Sequence, residues 1–200
     1  MIKNCIKLIL AMSLINSGCS AQKDALMSNI ESSSGKQVVE DSVLRKLQAE
    51  NELVIAYAVE NFAWARSIDY RILVQNNNEW KGYRYHQNLM RSGAGSPTIF
   101  NEVSINKTAA DDALSYITEN KAWEIKGDPQ GGPCTNGSKK CNINDASGAR
   151  LWIITKKGAI NPAYYAPEFY ENCCPDKQRG LFLSITKKIS AAVEGSGVNQ

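Results

Sequence analysis

The 200-residue sequence holds a single histidine, His86, and only one long apolar run, placed at its very N-terminus. One histidine excludes the multi-histidine centres of zinc hydrolases. One apolar run excludes a polytopic helical membrane protein. No G-x-G-x-x-G and no G-x-x-x-x-G-K-[ST] occurs, so a nucleotide site has no support. No G-x-S-x-G elbow accompanies the histidine, and no C-x-x-C offers a thioredoxin-like redox pair. Charge of one sign is scarce as well: 23 basic against 20 acidic residues leave a formal +3. Nucleic-acid binding needs a concentrated basic footprint, and only the lysine pairs at 139–140, 156–157 and 187–188 stand out. Solvated turns and helix ends account for such pairs. No cofactor is implied. What is present is ordinary globular material, 43% apolar and 22% charged, enough to bury one core.

The N-terminus indicates the compartment. Lys3 and Lys7 make a basic segment, Leu8 to Ile15 an apolar stretch, and Ser17-Gly18 precede Cys19. These eight residues fall far short of the roughly 20 that span a bilayer. The arrangement resembles the signal peptide and lipobox of bacterial lipoproteins, with Asn16 where that family usually has Leu. The resemblance implies cleavage before Cys19, diacylation of its thiol and acylation of its new amine. An ordinary secretory signal would instead be cut near Ala21. With residues 1–18 removed, Lys3 and Lys7 leave too, and the formal charge falls to +1. An anchor of two or more acyl chains holds a protein stably in a membrane, at about 0.8 kcal/mol per buried CH₂. The lipid anchor would make the bilayer one partner and place the chain in the cell envelope.

Residues 19–39 are polar and Ser-rich, and they read as a flexible tether spanning roughly 25 Å. Residues 40–195 read as one domain. Val43, Leu44, Leu47, Val54, Ile55 and Ala58 fall at helical spacing and predict a helix from about 40 to 60. Ser67–Gln75 alternates in polarity, Asn76-Asn77-Asn78 makes a turn, and Trp80–Gln87 continues as a second strand, so a β-hairpin is expected. Ile99–Ile105 reads as a third strand. Thr108-Ala-Ala-Asp111 has the form of a capping box ahead of Ala110, Ala113, Leu114 and Ile117 on one helical face. Residues 127–148 are a Gly-, Pro- and Asn-rich loop, Leu151–Thr155 a buried strand, and Pro162, Pro167 and Pro175 predict irregular chain. Leu181, Phe182, Ile185, Ile189 and Val193 suit a closing helix. The fold class is α+β: an antiparallel sheet with an N-terminal hairpin, packed by two or three helices, and a disulfide-stapled C-terminal loop region.

Beyond Cys5 and Cys19, four cysteines remain, Cys134, Cys141, Cys173 and Cys174. An even number in an exported chain reads as two disulfides. Bonding Cys173 to its neighbour Cys174 would need a distorted peptide in a very small ring. The expectation is therefore that Cys134 and Cys141 each bond one of the adjacent pair, for roughly 3–4 kcal/mol per bridge by loop-closure entropy. A Cys₄ zinc site usually shows C-x-x-C pairs, which this spacing lacks.

Chemistry has few carriers. Glu168 and Glu171 are a carboxylate pair without a visible partner surface, and His86 sits in the second predicted strand. Ala163 to Tyr170 holds Tyr164, Tyr165, Phe169 and Tyr170, and with Trp152 these rings form the candidate binding surface, since aromatic side chains give contact area at low entropy cost. The reading is a lipid-anchored envelope lipoprotein that binds a protein or glycan partner. The alternatives are an inhibitor or immunity-type protein, or a small envelope hydrolase using Glu168, Glu171 or His86.

Overall fold

A computed structural model describes residues 21–33, 37–62, 66–90, 97–131, 134–136 and 139–194. Cys19 and the signal segment lie outside the described residues. The elements in chain order are α1 (21–32), α2 (Ser42–Glu50), β1 (Leu53–Asn61), β2 (Ser67–Asn76), β3 (Glu79–Asn88), β4 (Ile99–Val103) and α3 (Lys107–Glu119). There follow β5 (Cys134–Asn136), β6 (Lys139–Cys141), β7 (Gly148–Thr155), β8 (Gly158–Ile160), β9 (Ala163–Tyr165), α4 (Pro167–Cys173) and α5 (Lys177–Glu194). The fold is α+β, as expected.

The main sheet has seven antiparallel strands in the order β4-β3-β2-β1-β7-β8, with β9 paired to the other half of β7. Registers assign the faces, because alternate residues point to opposite sides. Leu53, Ile55, Leu73, Trp80, Leu151 and Ile153 share one face with the buried sides of α1, α3 and α5. Val54, Ile72, Val74, Trp152 and Ile154 share the other with Leu44 and Leu47 of α2. Helices therefore cover both faces.

That double covering explains one correction. The predicted helix over 40–60 is in fact α2 followed by β1, and Val54, Ile55 and Ala58 lie on the strand. A strand buried on both sides shows an unbroken apolar run, and Leu53-Val-Ile-Ala56 has no alternation to betray it. Asn51 ends α2, its backbone N–H and its side chain both donating to the Leu47 carbonyl. Asp41 starts the helix by accepting from Val43 N and Leu44 N at 2.9 Å.

The flexible tether is a second correction. Residues 21–32 are helical, and Leu26 and Ile30 are completely buried in the core beneath the sheet. Lys23 Nζ donates to Glu52 Oε2 at 2.7 Å and to Asn78 Oδ1 at 3.2 Å, fixing the first turn of α1 against the β2–β3 turn. Two apolar residues four apart suffice to dock a short polar helix once a partner surface exists, and no sequence periodicity announces so narrow a stripe.

The expected hairpin is present, with Asn77 and Asn78 at φ 49° and 63°, the left-handed pair of a tight two-residue turn. In α3 the cap is Asn106, which accepts from Ala109 N at 3.1 Å, and not Thr108. Asp111 instead accepts the indole N–H of buried Trp80 at 2.7 Å. The Pro-rich segment is regular, contrary to expectation: Pro162 lies between β8 and β9, and Pro167 starts α4, where a missing N–H costs nothing.

Candidate functional site

The aromatic segment proves to be core. Tyr164 is 3% exposed, its ring lies 4.8 Å from Phe182, and its hydroxyl donates to the Lys126 carbonyl at 2.5 Å. Burial, then the Asp176 carboxylate, pushes this phenol up to about 12. Tyr170 and Trp152 are also buried, at 2% and 7%. Tyr165 is half-buried and its hydroxyl accepts from Ala146 N at 3.0 Å, while half-buried Phe169 meets Tyr170 edge-on. Tyr165 and Tyr170 lie beside Gly131, and Tyr165 also holds Ala146, whereas Trp152 packs on the sheet's other face with α2. As a recognition surface the set fails, because three of its five rings offer almost no area to a partner.

The cysteines pair Cys134–Cys174 and Cys141–Cys173. The β5–β6 hairpin sets Cys134 opposite Cys141, α4 ends on Cys173-Cys174, and all four sulfurs lie within 4.8 Å of one another. The pairing is one of the two expected. It staples the 127–148 loop to the α4–α5 connection, where Glu171 accepts from Arg179 Nε at 3.2 Å and from Asp176 N at 3.0 Å. Glu171 is thus spent on structure. Glu168 is exposed in the first turn of α4.

His86 lies elsewhere, toward the end of the sheet beyond the described helices. The face of β2 and β3 that carries Leu73 and Trp80 beneath the helices continues as Arg71, Asp69, Arg84 and His86. The register sets Arg71 opposite Arg84 and Asp69 opposite His86, with Asn101 and Ile99 of β4 opposite Arg84 and His86. These residues and Val59 line an open cleft of about 460 Å³. The His86 ring nitrogen Nδ1 is 2.7 Å from Asp69 Oδ1, which orients the ring, and Nε2 has no hydrogen bond among the described residues. Asn61 Nδ2 donates to Ser67 Oγ at 3.2 Å and lies 3.5 Å from Asp69 Oδ2, extending the polar chain along the sheet.

Arg71 is ion-paired through Nε to Glu194, the last residue of α5, and its guanidinium sits 5.8 Å from the Tyr57 ring. Burial raises the Tyr57 phenol above its ordinary value; Glu168 adds to this, Arg71 opposes it and Glu194 adds again. Tyr57 therefore stays a neutral hydroxyl. Neither Glu168 nor Glu171 lines the cleft. The convergence of His86 with both glutamates that a hydrolase of that design requires is absent among the described residues.

The sequence does carry a signal for the cleft. Along β2 the residues of one face run Ser67, Asp69, Arg71, Leu73, and along β3 they run Trp80, Gly82, Arg84, His86. Each strand changes polarity midway on the same face, and the antiparallel register brings the polar halves together. The change marks where the covering layer ends.

The opposite face holds a second aromatic group that sequence reading missed. Tyr70 stacks on Tyr85 at 5.0 Å, Tyr83 stacks on Phe100 at 4.9 Å, and Tyr85 Oη donates to Asp41 Oδ2 at 3.1 Å. These rings bind the edge strand β4 to α2's start, and burial pushes the Tyr85 phenol well above its ordinary value, with Asp41 adding to it. Among the described residues no helix is long and apolar enough to cross a membrane.

No protein-family model matches the chain, and a search of curated proteins finds no match.

Proposed function

We propose that this protein is a lipid-anchored envelope domain that binds a partner through the cleft between β1, β2, β3 and β4. The observation that carries this reading is the position of α1. Its first residue, 21, stands two residues after Cys19, so an acylated Cys19 lies no more than about 7 Å of chain from a helix docked in the core. The start of α1 touches Glu52 and Asn78, at the end of the sheet where β2 turns into β3. Asp69 sits seven residues back along β2 from Asn76, about 23 Å toward the opposite end. An anchored domain would thus hold its turn end close to the bilayer and present the cleft away from it. The two disulfides fit an exported chain.

A cleft lined by Asp69, Arg71, Arg84, His86 and Asn101 offers directional polar groups beside the apolar walls Val59 and Ile99, the mixture that gives a site specificity. An inhibitor or immunity-type protein is one form of this reading. The second reading, an envelope hydrolase, draws on the Asp69–His86 contact, which orients an imidazole as a general base requires. Among the described residues no Ser, Thr or Cys lines the cleft beside it.

The test is an in-cell crosslink and affinity capture of the C-terminally tagged chain, read by mass spectrometry beside Cys19→Ala and His86→Ala. The expected result is an envelope protein recovered with the wild type and lost with both variants. Recovery of nothing above background, or equal recovery with all three, overturns the binding reading. Retention of fatty-acid label by Cys19→Ala overturns the anchor.

A further inference from the structure

The cleft brings two guanidinium groups onto one face of the sheet, and only one of them is paired among the described residues. Arg71 and Arg84 are directly opposed across β2 and β3 on the same face. Like charges so placed repel, and a nearby anion relieves the repulsion. Glu194 answers Arg71. Asp69 is engaged by His86 and by Asn61. Arg84 is exposed and has no ion pair or hydrogen bond among the described residues. One guanidinium, with its fork of donors, therefore stands free in a cleft that also holds the Asn101 amide across the next strand and the His86 ring two residues along.

We propose that the cleft binds a carboxylate group on a ligand with a small apolar portion. This rests on the reading of the cleft as the contact site. A planar guanidinium matches two oxygens of one anion in a bidentate contact, which a point charge cannot do. The Asn101 amide lies at the neighbouring register position, where it can donate to a third lone pair. Arg71, across the register from Arg84, meets Glu194 through Nε. Glu194 already answers Arg71, so the one guanidinium left without a described partner matches one negative charge. Val59 and Ile99 wall the cleft, so a bare inorganic ion would leave apolar surface wet that an organic anion covers.

The experiment titrates the mature, oxidised chain, followed by ¹⁵N resonances of the Arg84 side chain and the His86 ring. The probes are N-acetyl-alanyl-alanine as free acid, the same dipeptide as C-terminal amide, and vesicles of phosphatidylglycerol or of phosphatidylcholine. Saturable shifts with the free acid, at least tenfold weaker with the amide, support a carboxylate ligand. A response to phosphatidylglycerol vesicles and not to the free acid overturns the proposal in favour of a lipid phosphodiester. Arg84→Gln should weaken the effective probe by tenfold or more, and Arg84→Lys should restore part of the loss. Equal response to acid and amide, no response to either dipeptide, or an Arg84→Gln variant that binds as the wild type overturns the proposal. Capture of a partner that survives Arg84→Gln would refute the ligand class and leave the binding function standing. Anion binding without any captured partner would do the reverse.

Discussion

Leu26→Ala tests whether α1 belongs to the domain or merely leads to it. Leu26 and Ile30 are both fully buried, in the cluster that also holds Leu53, Trp80, Leu114 and Ile117. Truncating a leucine in such a site removes its transfer free energy and leaves a cavity, which together cost about 2–5 kcal/mol. A domain of this size has a total stability of about 5–15 kcal/mol, so the change consumes a large part of it. With a urea m-value of about 2 kcal/mol/M, the midpoint should fall by about 1–2.5 M at unchanged m. Ile30→Ala should behave alike. Ser28→Ala, on the exposed side of the same helix, should stay within about 0.5 kcal/mol of wild type. Urea unfolding of the mature oxidised chain, followed by tryptophan fluorescence, measures all three. A Leu26→Ala midpoint indistinguishable from that of Ser28→Ala would refute the docking of α1, and with it the short distance between anchor and domain.

Replacing Cys134 and Cys174 together by serine opens a loop of sequence separation 40 and should cost about 4 kcal/mol by loop-closure entropy, seen as a lower thermal midpoint that reductant lowers no further than the remaining bridge allows. Gly127→Ala should destabilise by more than about 2 kcal/mol in urea, because a Cβ there would lie 2.5 Å from the Ala163 carbonyl oxygen and 2.6 Å from its nitrogen, and backbone cannot yield as a side chain can. Stability should be whole below pH 10 and fall as pH rises toward about 12: the unfolded chain ionises its tyrosines first, whereas the folded Tyr164 phenol is held up to about 12. That residue alone should account for about 2–3 kcal/mol of the loss. A Tyr164→Phe variant with an undiminished alkaline slope would contradict it.

Local signals were legible where one side of an element decided it. The β2–β3 hairpin followed from alternation and from asparagines that accept positive φ, and α3 from Ala110, Ala113, Leu114 and Ile117, all four of which are buried. The cystine pairing followed to within one choice from the impossibility of joining neighbours comfortably. Readings failed where two influences overlapped. The apolar run of β1 serves both faces of the sheet at once, so its period vanished. The rings from Tyr164 to Tyr170 were conspicuous in the chain, yet conspicuous rings are as useful under a loop as on a surface. Composition cannot separate the two.

Among the described residues, composition and pattern alone determined the mixed class, the central hairpin, the closing helix and two cross-links among four cysteines. Where Asp69, Arg71, Arg84 and His86 meet was decided by the register of β2 against β3 and by the point at which α5 ends, both long-range facts. The docking of residues 21–32 was likewise a tertiary matter. Their two buried side chains become a stripe only when β1, β3 and α3 supply the surface that accepts them. Helix formation in so short and polar a segment draws its stability from packing rather than from propensity, and packing is the quantity that a one-dimensional string does not contain.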